Sequence, residues 1–359
     1  MMIDLANMFA NHGWSVSLIT GRLVKRNTEL NKNISISKII RYNRKNILFR
    51  IITWSIAFLQ LFLLTAFKYR QHKLLIISNP PLALFLPLFF NCAFDILIYD
   101  VYPDILYEAG YISRNSWLVL LWEKANRKVF SQAGRIFTIT EGMKEILKKY
   151  SGNKPIEVIP VWTDNTFLKP LPKDKNPFVH KHRLTGKFVV MYSGNLGLTH
   201  CVEIIPEIAS KIHNPAVQFV IIGEGEKKKI VQQKIDQYCL KNVLLLPRQE
   251  VKTLPFSLSS ADLALITLSK DASKLSVPSK TFNFMSSGAA LLCISTFDSE
   301  LNNIVTKYNN GITFLETQIN EIACFIEKLA TDNNLLKTLK ENSLKASKDF
   351  DAKNAISFL

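Results

Sequence analysis

The chain has 359 residues, 48% of them apolar, and a net charge of +16. That is more than one domain core needs, so two domains are the starting expectation. A surface this basic favours polyanions, whether nucleic acid, anionic lipid or phosphorylated ligands, and charge alone does not choose among them. The five cysteines, Cys92, Cys201, Cys239, Cys293 and Cys324, show no disulfide-framework or metal spacing, and no histidine pair stands at i, i+4 beside a carboxylate. The pattern fits a reducing cytosol and points to no protein-bound metal.

The start, MMIDLANMFANHGW, carries Asp4 and lacks the basic segment and apolar run of a signal peptide, so export is not expected. Short apolar runs then alternate with helical stretches: SVSLIT (15–20), KLLIIS (73–78), DILIYD (95–100), RIFTIT (135–140) and IEVIP (156–160). They read as buried parallel strands. A second series follows, KFVVMYSG (187–194), VQFVIIGEG (217–225), NVLLLP (242–247), DLALITL (262–268) and AALLCIS (289–295). Strand–helix alternation twice over predicts two Rossmann-like, doubly wound α/β domains facing a cleft.

Residues 168–183, rich in proline and charge, read as the linker, with the N-terminal domain over 1–173 and the C-terminal one over 174–340. Residues 341–359 are expected to form a helix packing across the junction. One stretch sits uneasily in a soluble domain: Ile47 to Arg70 is interrupted only by Arg50, Gln60 and small hydroxyl residues. Its length fits a buried crossover helix, an interfacial helix or a span. Arg41, Arg44, Lys45, Arg50, Lys68 and Arg70 around it, and the apolar patch 80–94 behind it, favour contact with an anionic membrane surface.

The segment most informative for chemistry is SVPSKTFNFMSSGAALLCIS, from Ser276 to Ser295. Pro278 and Ser279 suit a helix start, and Lys280 with the first amides would converge on one anion, the arrangement that holds a diphosphate. Taken alone, the same pattern suits many structural helices. MYSGNLG (191–197) and IIGEGEKKK (221–229) add two more strand-to-glycine turns at the edge where open α/β sheets bind ligands.

The order SGNLG, IIGEGEKKK, LPRQEVKTLPFSLSSADLALITL, VPSKTFNFMSSG resembles glycosyltransferase family 4, in the bacterial branch that builds capsule, O-antigen and exopolysaccharide repeat units. YDVYPDILYEAGYI (99–112), TITEGMKEIL and IEVIPVWTDNTFLKP (156–170) agree with it in the first half. The resemblance implies a GT-B fold and retaining, metal-free transfer from a nucleotide-diphosphate sugar, UDP before GDP, to a glycan or polyprenyl-linked acceptor. It implies that Gly194 and Asn195 face the donor diphosphate, that Arg248 and Lys280 neutralise it, and that Gly223, Glu224 and Gly225 shape the floor beneath the nucleotide. Asp100 and Asp104 follow a strand expected to end at the cleft. They are candidates to orient the donor sugar or the acceptor hydroxyl, with helix capping or a solvated loop as the structural alternative.

Two departures bear on activity. The family's first strand and glycine loop have no counterpart ahead of LANMFANHGWSVSLITG, so the N-terminal domain is expected to be the less stable half. Where the family commonly carries two glutamates around the donor helix, this chain has Leu275 and Asn283. Asn283 can hydrogen-bond a hydroxyl but carries no charge. A weakly active or inactive homologue that still binds nucleotide is therefore one alternative, and a sugar-nucleotide epimerase of the same fold is another. Nucleic-acid binding has no supporting motif, and the basic residues are spread rather than clustered. A cytoplasmic enzyme, peripheral on the inner membrane face, is expected.

Overall fold

A computed structural model describes residues 1–23, 28–43, 47–108, 110–270, 273 and 277–359. The chain folds as two compact units, one of residues 2–160 with 355–359, the other of residues 161–354.

In the first unit the order is α1 (Met2–Asn11), β1 (Ser17–Thr20), β2 (Ser35–Lys38), α2 (Ile47–Leu64), β3 (Leu74–Ile77), β4 (Phe94–Ile98), α3 (Asp104–Glu108), α4 (Trp117–Gln132), β5 (Ile136–Thr138), α5 (Glu141–Ser151) and β6 (Glu157–Val158). A 3-10 helix, Pro81–Leu88, stands between β3 and β4. The strands form two parallel sheets, β1-β2 and β3-β4-β5-β6. Strand β4 is apolar on both faces except Asp95, and all five of its residues are buried, because a central parallel strand is covered on both sides. Asp95 is held by Lys73 at 2.7 Å and by the Arg135 amide at 2.9 Å. Helices α4 and α5 start where Ser116 and Thr140 accept from the amides three residues on, satisfying donors the first turn leaves free.

The second unit runs α6 (Pro177–Lys181), β7 (Phe188–Ser193), α7 (Ile205–Ser210), β8 (Val217–Ile222), α8 (Lys228–Gln237), β9 (Val243–Leu246), α9 (Leu254–Ser259), β10 (Leu263–Thr267), α10 (Lys280–Ser286), β11 (Ala290–Ile294), α11 (Glu300–Tyr308), β12 (Gly311–Phe314), α12 (Ile319–Thr331) and α13 (Asn333–Ser347). Its sheet has the order β12-β11-β10-β7-β8-β9, with every pairing parallel. Alternate residues of each strand feed two cores: Val189, Met191, Ala264 and Ile266 on one face, Val190, Tyr192, Leu263 and Leu265 on the other. The sequence reading missed β2 and β12, whose short runs are too polar or too brief to stand out.

Two boundaries differ from the sequence reading. Residues 168–183 do not form a linker, and the boundary lies at Val161 instead of Asp174. Leu168, Phe178 and Val179 are buried in the second unit's core, Asn176 caps α6, and Lys173 pairs with the buried Asp262. Proline and lysine density hid those apolar side chains. No single helix covers 341–359: α13 starts earlier, where Asp332 accepts from the Leu335 amide at 2.9 Å, and ends at Ser347. Two 3-10 turns follow, Lys348–Phe350 and Ala352–Phe358.

The last five residues belong to the first unit. There Phe358 packs on Phe137 with ring centroids 4.5 Å apart. Arg135 donates to the carbonyls of Ser357 and Phe358 at 3.0 and 3.3 Å. Phe358→Ala should therefore cost the first unit about 3 kcal/mol, the usual loss for a buried aromatic. Urea unfolding of the variant checks it, and an unchanged midpoint would show that the tail contributes nothing to that unit.

Candidate functional site

The sheet of the second unit reverses its winding between β7 and β10: from β7 the order proceeds to β8 and β9, from β10 to β11 and β12. Loops leaving the carboxyl ends of two such strands diverge to opposite faces, and the crevice they leave is where α/β sheets take ligands. Here the two loops are stitched together. His200 Nδ1 lies 2.6 Å from the carbonyl of Thr267, at the end of β10, and the Ser269 amide donates to Thr199 at 3.0 Å.

The turns after β7 and β8 pack backbone against backbone. A Cβ on Gly223 would overlap the carbonyl oxygen of Gly194, so only glycine fits there. The Leu196 amide donates to Glu224 at 2.9 Å, and Leu196 accepts from Lys227 at 2.9 Å. Gly225 sits at φ +155° against Leu196.

Lys280, the first residue of α10, points into this corner. A Cβ built on Gly194 would be 3.3 Å from its Nζ, and the Nζ sits 3.8 Å from the centre of the Tyr192 ring. It is buried and has no hydrogen-bond partner among the described residues. Burial pulls its pKa down to about 7, since an unsolvated amine resists protonation. The ring face returns part of the lost solvation through cation–π attraction. Tyr192 is fully buried, and its hydroxyl donates to the Asn195 carbonyl at 2.6 Å, fixing the glycine turn. Burial also brings His200 down to about 4, helped by the charges of Lys280 and Lys227 against the Thr267 carbonyl. The imidazole is neutral at pH 7. Lys227 donates to the His200 carbonyl at 2.9 Å and pairs with Glu203 at 2.6 Å. Beside it Cys201 donates to Glu316 at 2.8 Å, its thiol pushed up to about 12 by burial and by Glu316.

Of the residues singled out in the sequence, Gly194, Gly223 and Lys280 come together here. Asn195 is exposed on the same turn, and Glu224 is exposed and paired with Lys228 at 2.7 Å. Pro278 and Ser279 precede α10, but no side-chain cap is made by Ser279. Arg248 is exposed on the loop after β9. Asn283 accepts from the Thr163 hydroxyl at 2.7 Å, so that oxygen already has a donor. Leu275 and Ser276 lie outside the described residues. In the first unit Asp100 follows β4, with its amide donating to Ser78 at 3.1 Å.

Asp104 corrects the sequence reading. Its buried carboxylate accepts from Tyr107 at 2.7 Å and Tyr150 at 2.6 Å and pairs with Lys149 at 2.6 Å. Both oxygens are committed to tying α3 to α5, and a side chain so engaged is not placed to orient a substrate. Tyr192, His200 and Thr267 were missed, because their roles depend on β7 and β10 being neighbours, which no local motif announces.

With the geometry in view, the comparisons with known proteins become specific. Residues 173–346 match the family Glycosyl transferases group 1. A probable glycosyltransferase, WbjE of Pseudomonas aeruginosa, is 26% identical over 218 residues, covering 60% of this chain and 54% of that protein. A putative colanic acid biosynthesis glycosyl transferase, WcaI of Escherichia coli K12, is 27% identical over 118 residues, covering 33% of this chain and 29% of that protein. The matches thus span about half of the first relative and less than a third of the second. The crystal structure of Anabaena HepE with UDP superposes with a TM-score of 0.71 at 13% identity, covering 99% of this chain and 93% of that one. That likeness establishes the fold, the two-unit GT-B type.

The Asp104 assignment has a direct check. Asp104→Ala should lower stability by about 3 kcal/mol, the range for removing one partner of a buried ion pair. An unchanged unfolding midpoint would return Asp104 to the list of substrate-facing groups.

Proposed function

We propose that the chain is a retaining glycosyltransferase of family 4. It takes a nucleotide-diphosphate sugar, UDP-linked before GDP-linked, and builds bacterial cell-surface polysaccharide on a glycan or polyprenyl-linked acceptor at the cytoplasmic membrane face. The observation that carries this reading is the buried amine of Lys280 against the Gly194 turn, unpartnered among the described residues. An uncompensated buried cation is costly, and a diphosphate at that turn would supply both the missing charge and the missing acceptors. The family match over 173–346 and the UDP bound by Anabaena HepE support the same donor class.

In glycosyl transfer the nucleotide diphosphate leaves with growing negative charge. Lys280 would stabilise that charge where it develops, in a corner that excludes water, with the exposed Arg248 as the candidate second cation. Neutral His200, held on Thr267, would pass no proton at neutral pH and would instead keep the β7 and β10 loops together. Asp100 remains the acceptor-side candidate. Transfer is proposed to need no metal. Activity surviving EDTA with retention of the anomeric configuration supports that; loss restored by Mg²⁺ or Mn²⁺ refutes it.

Lys280→Met gives the sharpest test. UDP affinity measured by calorimetry should fall by roughly 1–3 kcal/mol, the range for a charge-assisted hydrogen bond. Stability at pH 7 should hold or rise, because an unpaired buried charge is removed. A mutant that binds UDP as the wild type does would remove Lys280 from the donor site.

The pH dependence follows from the same amine. With its folded pKa near 7 and an unfolded value of about 10.4, the unfolded chain holds more protons between those limits. Wild-type stability should therefore rise with pH across that window, while below pH 7 the full cost of the buried charge is present. UDP binding runs the other way, because the bound diphosphate requires the ammonium. Affinity should fall as pH climbs above 7, with proton uptake visible as a buffer-dependent binding enthalpy. Flat affinity from pH 6 to about pH 9 would count against the assignment.

A further inference from the structure

Helix α2 has two faces of different character. Thr53, Ala57 and Leu61 are buried, and the helix packs on the 3-10 helix Pro81–Leu88, with Phe62 and Phe89 centroids 5.6 Å apart. The opposite stripe, Leu48, Ile52, Ile56, Leu59 and Leu63, is exposed, and Phe67 just beyond it is 86% exposed. Only 22% of the helix's most apolar stretch is buried. The spacing i, i+4, i+8, i+11, i+15 makes one continuous ridge.

A second exposed ridge stands on α4. Trp117, Leu118, Leu120 and Leu121 in its first turns are exposed, Trp117 by 71%. The two helices are joined through an aromatic ladder: Trp54 of α2 meets Tyr102 at 5.9 Å, Tyr102 stacks on Trp122 of α4 at 6.1 Å, and Trp122 meets Phe85 of the 3-10 helix at 5.8 Å. Single exposed leucines need no explanation, but two rows on coupled helices of one unit do.

The charge around them says what covers them. From Leu30 to Phe94 the sequence holds nine lysines and arginines and not one aspartate or glutamate. Arg41, Lys68 and Arg70 are exposed at the two ends of α2. An apolar ridge in an acid-free basic segment complements an anionic lipid surface, with the ridge among acyl chains and the cations at the headgroups.

The structure also says how the helix meets that surface. Residues 37–43 run back along α2 and the π-helical turn Thr65–Tyr69 that continues it, bonded at three levels: Ser37 to Tyr69 of that turn at 3.0 Å, the Ile40 amide to Gln60 of α2 at 2.7 Å and the Asn43 amide to Thr53 of α2 at 3.4 Å. A span would strip these bonds and place their partners in hydrocarbon, where unpaired polar groups are expensive.

We infer that α2 and the first turns of α4 form one two-helix platform that lies in the interface of an anionic membrane without crossing it. The platform is built entirely within the first unit and is independent of the donor-site reading.

The test uses the full chain and sedimentation with phosphatidylcholine vesicles containing about one third phosphatidylglycerol, against pure phosphatidylcholine. The wild type should bind the anionic vesicles, lose at least about tenfold in affinity in high salt, and be released by an alkaline carbonate wash. L59E/L63E on α2 and L120E/L121E on α4 should each weaken binding by a similar factor while melting like the wild type, since all four side chains are exposed. An α4 variant that binds as the wild type does overturns the two-helix platform. Binding that survives the carbonate wash overturns the interfacial placement. A wild type that ignores vesicles but self-associates through these residues makes the surface a protein interface.

Discussion

The second unit is organised around an amine that none of its described residues neutralises. Lys280 sits out of water with only the Tyr192 ring beneath it, and burying a charge without a partner costs several kcal/mol at neutral pH. Nothing in ordinary packing would retain such a group, since methionine would fill the same volume without the penalty. The surrounding architecture is what makes the arrangement possible. Strands β7 and β10 lie side by side at the reversal of the sheet, the Gly194 and Gly223 turns close against each other, and His200 bridges to the end of β10. Rigidity of this kind keeps the amine in the corner instead of letting it escape to solvent.

The first unit is built on a different balance. Its internal polar network, Asp104 with Tyr107, Lys149 and Tyr150, is satisfied on every side, and burial together with the Asp104 charge raises the pKa of Tyr150. Its unsatisfied feature is on the outside, where two rows of apolar side chains face away from the core. Lys149 of that network also pairs with Glu123 of α4 at 3.1 Å, holding α4 in place, and the strap of residues 37–43 does the same for α2, so the outer face is displayed by rigid elements.

Much of the architecture was legible in the sequence because parallel strands buried on both faces are written as unbroken apolar runs. DILIYD and DLALITL could hardly be anything else. Lys280, Gly194 and Gly223 were legible because each stands at a fixed place in a strand–turn–helix grammar. What could not be read depends on partners distant in sequence. Asp104 was a substrate-facing candidate because it follows a strand expected to end at the cleft, yet its fate is decided by Lys149 and Tyr150. Tyr192 is core, and its ring is also the floor under a cation contributed from position 280. The stretch 168–183 looked like a linker because prolines and lysines outnumber the few apolar residues that anchor it. The exposure of Trp117 and its neighbours on α4 was invisible too, since a helix with those residues turned inward would have the same sequence.

The aromatic ladder between α2 and α4 has an optical consequence. The indole nitrogens of Trp54 and Trp122 are buried without hydrogen-bond partners among the described residues, and Tyr102 lies between the two rings. An indole whose N–H is kept from water emits at shorter wavelength, and water reaching either N–H shifts the emission to the red. The ladder is thus a built-in fluorophore pair placed at the joint between the two helices. Once Trp14, Trp117 and Trp162 are replaced by phenylalanine, its colour reports whether that joint is closed, without any label being attached.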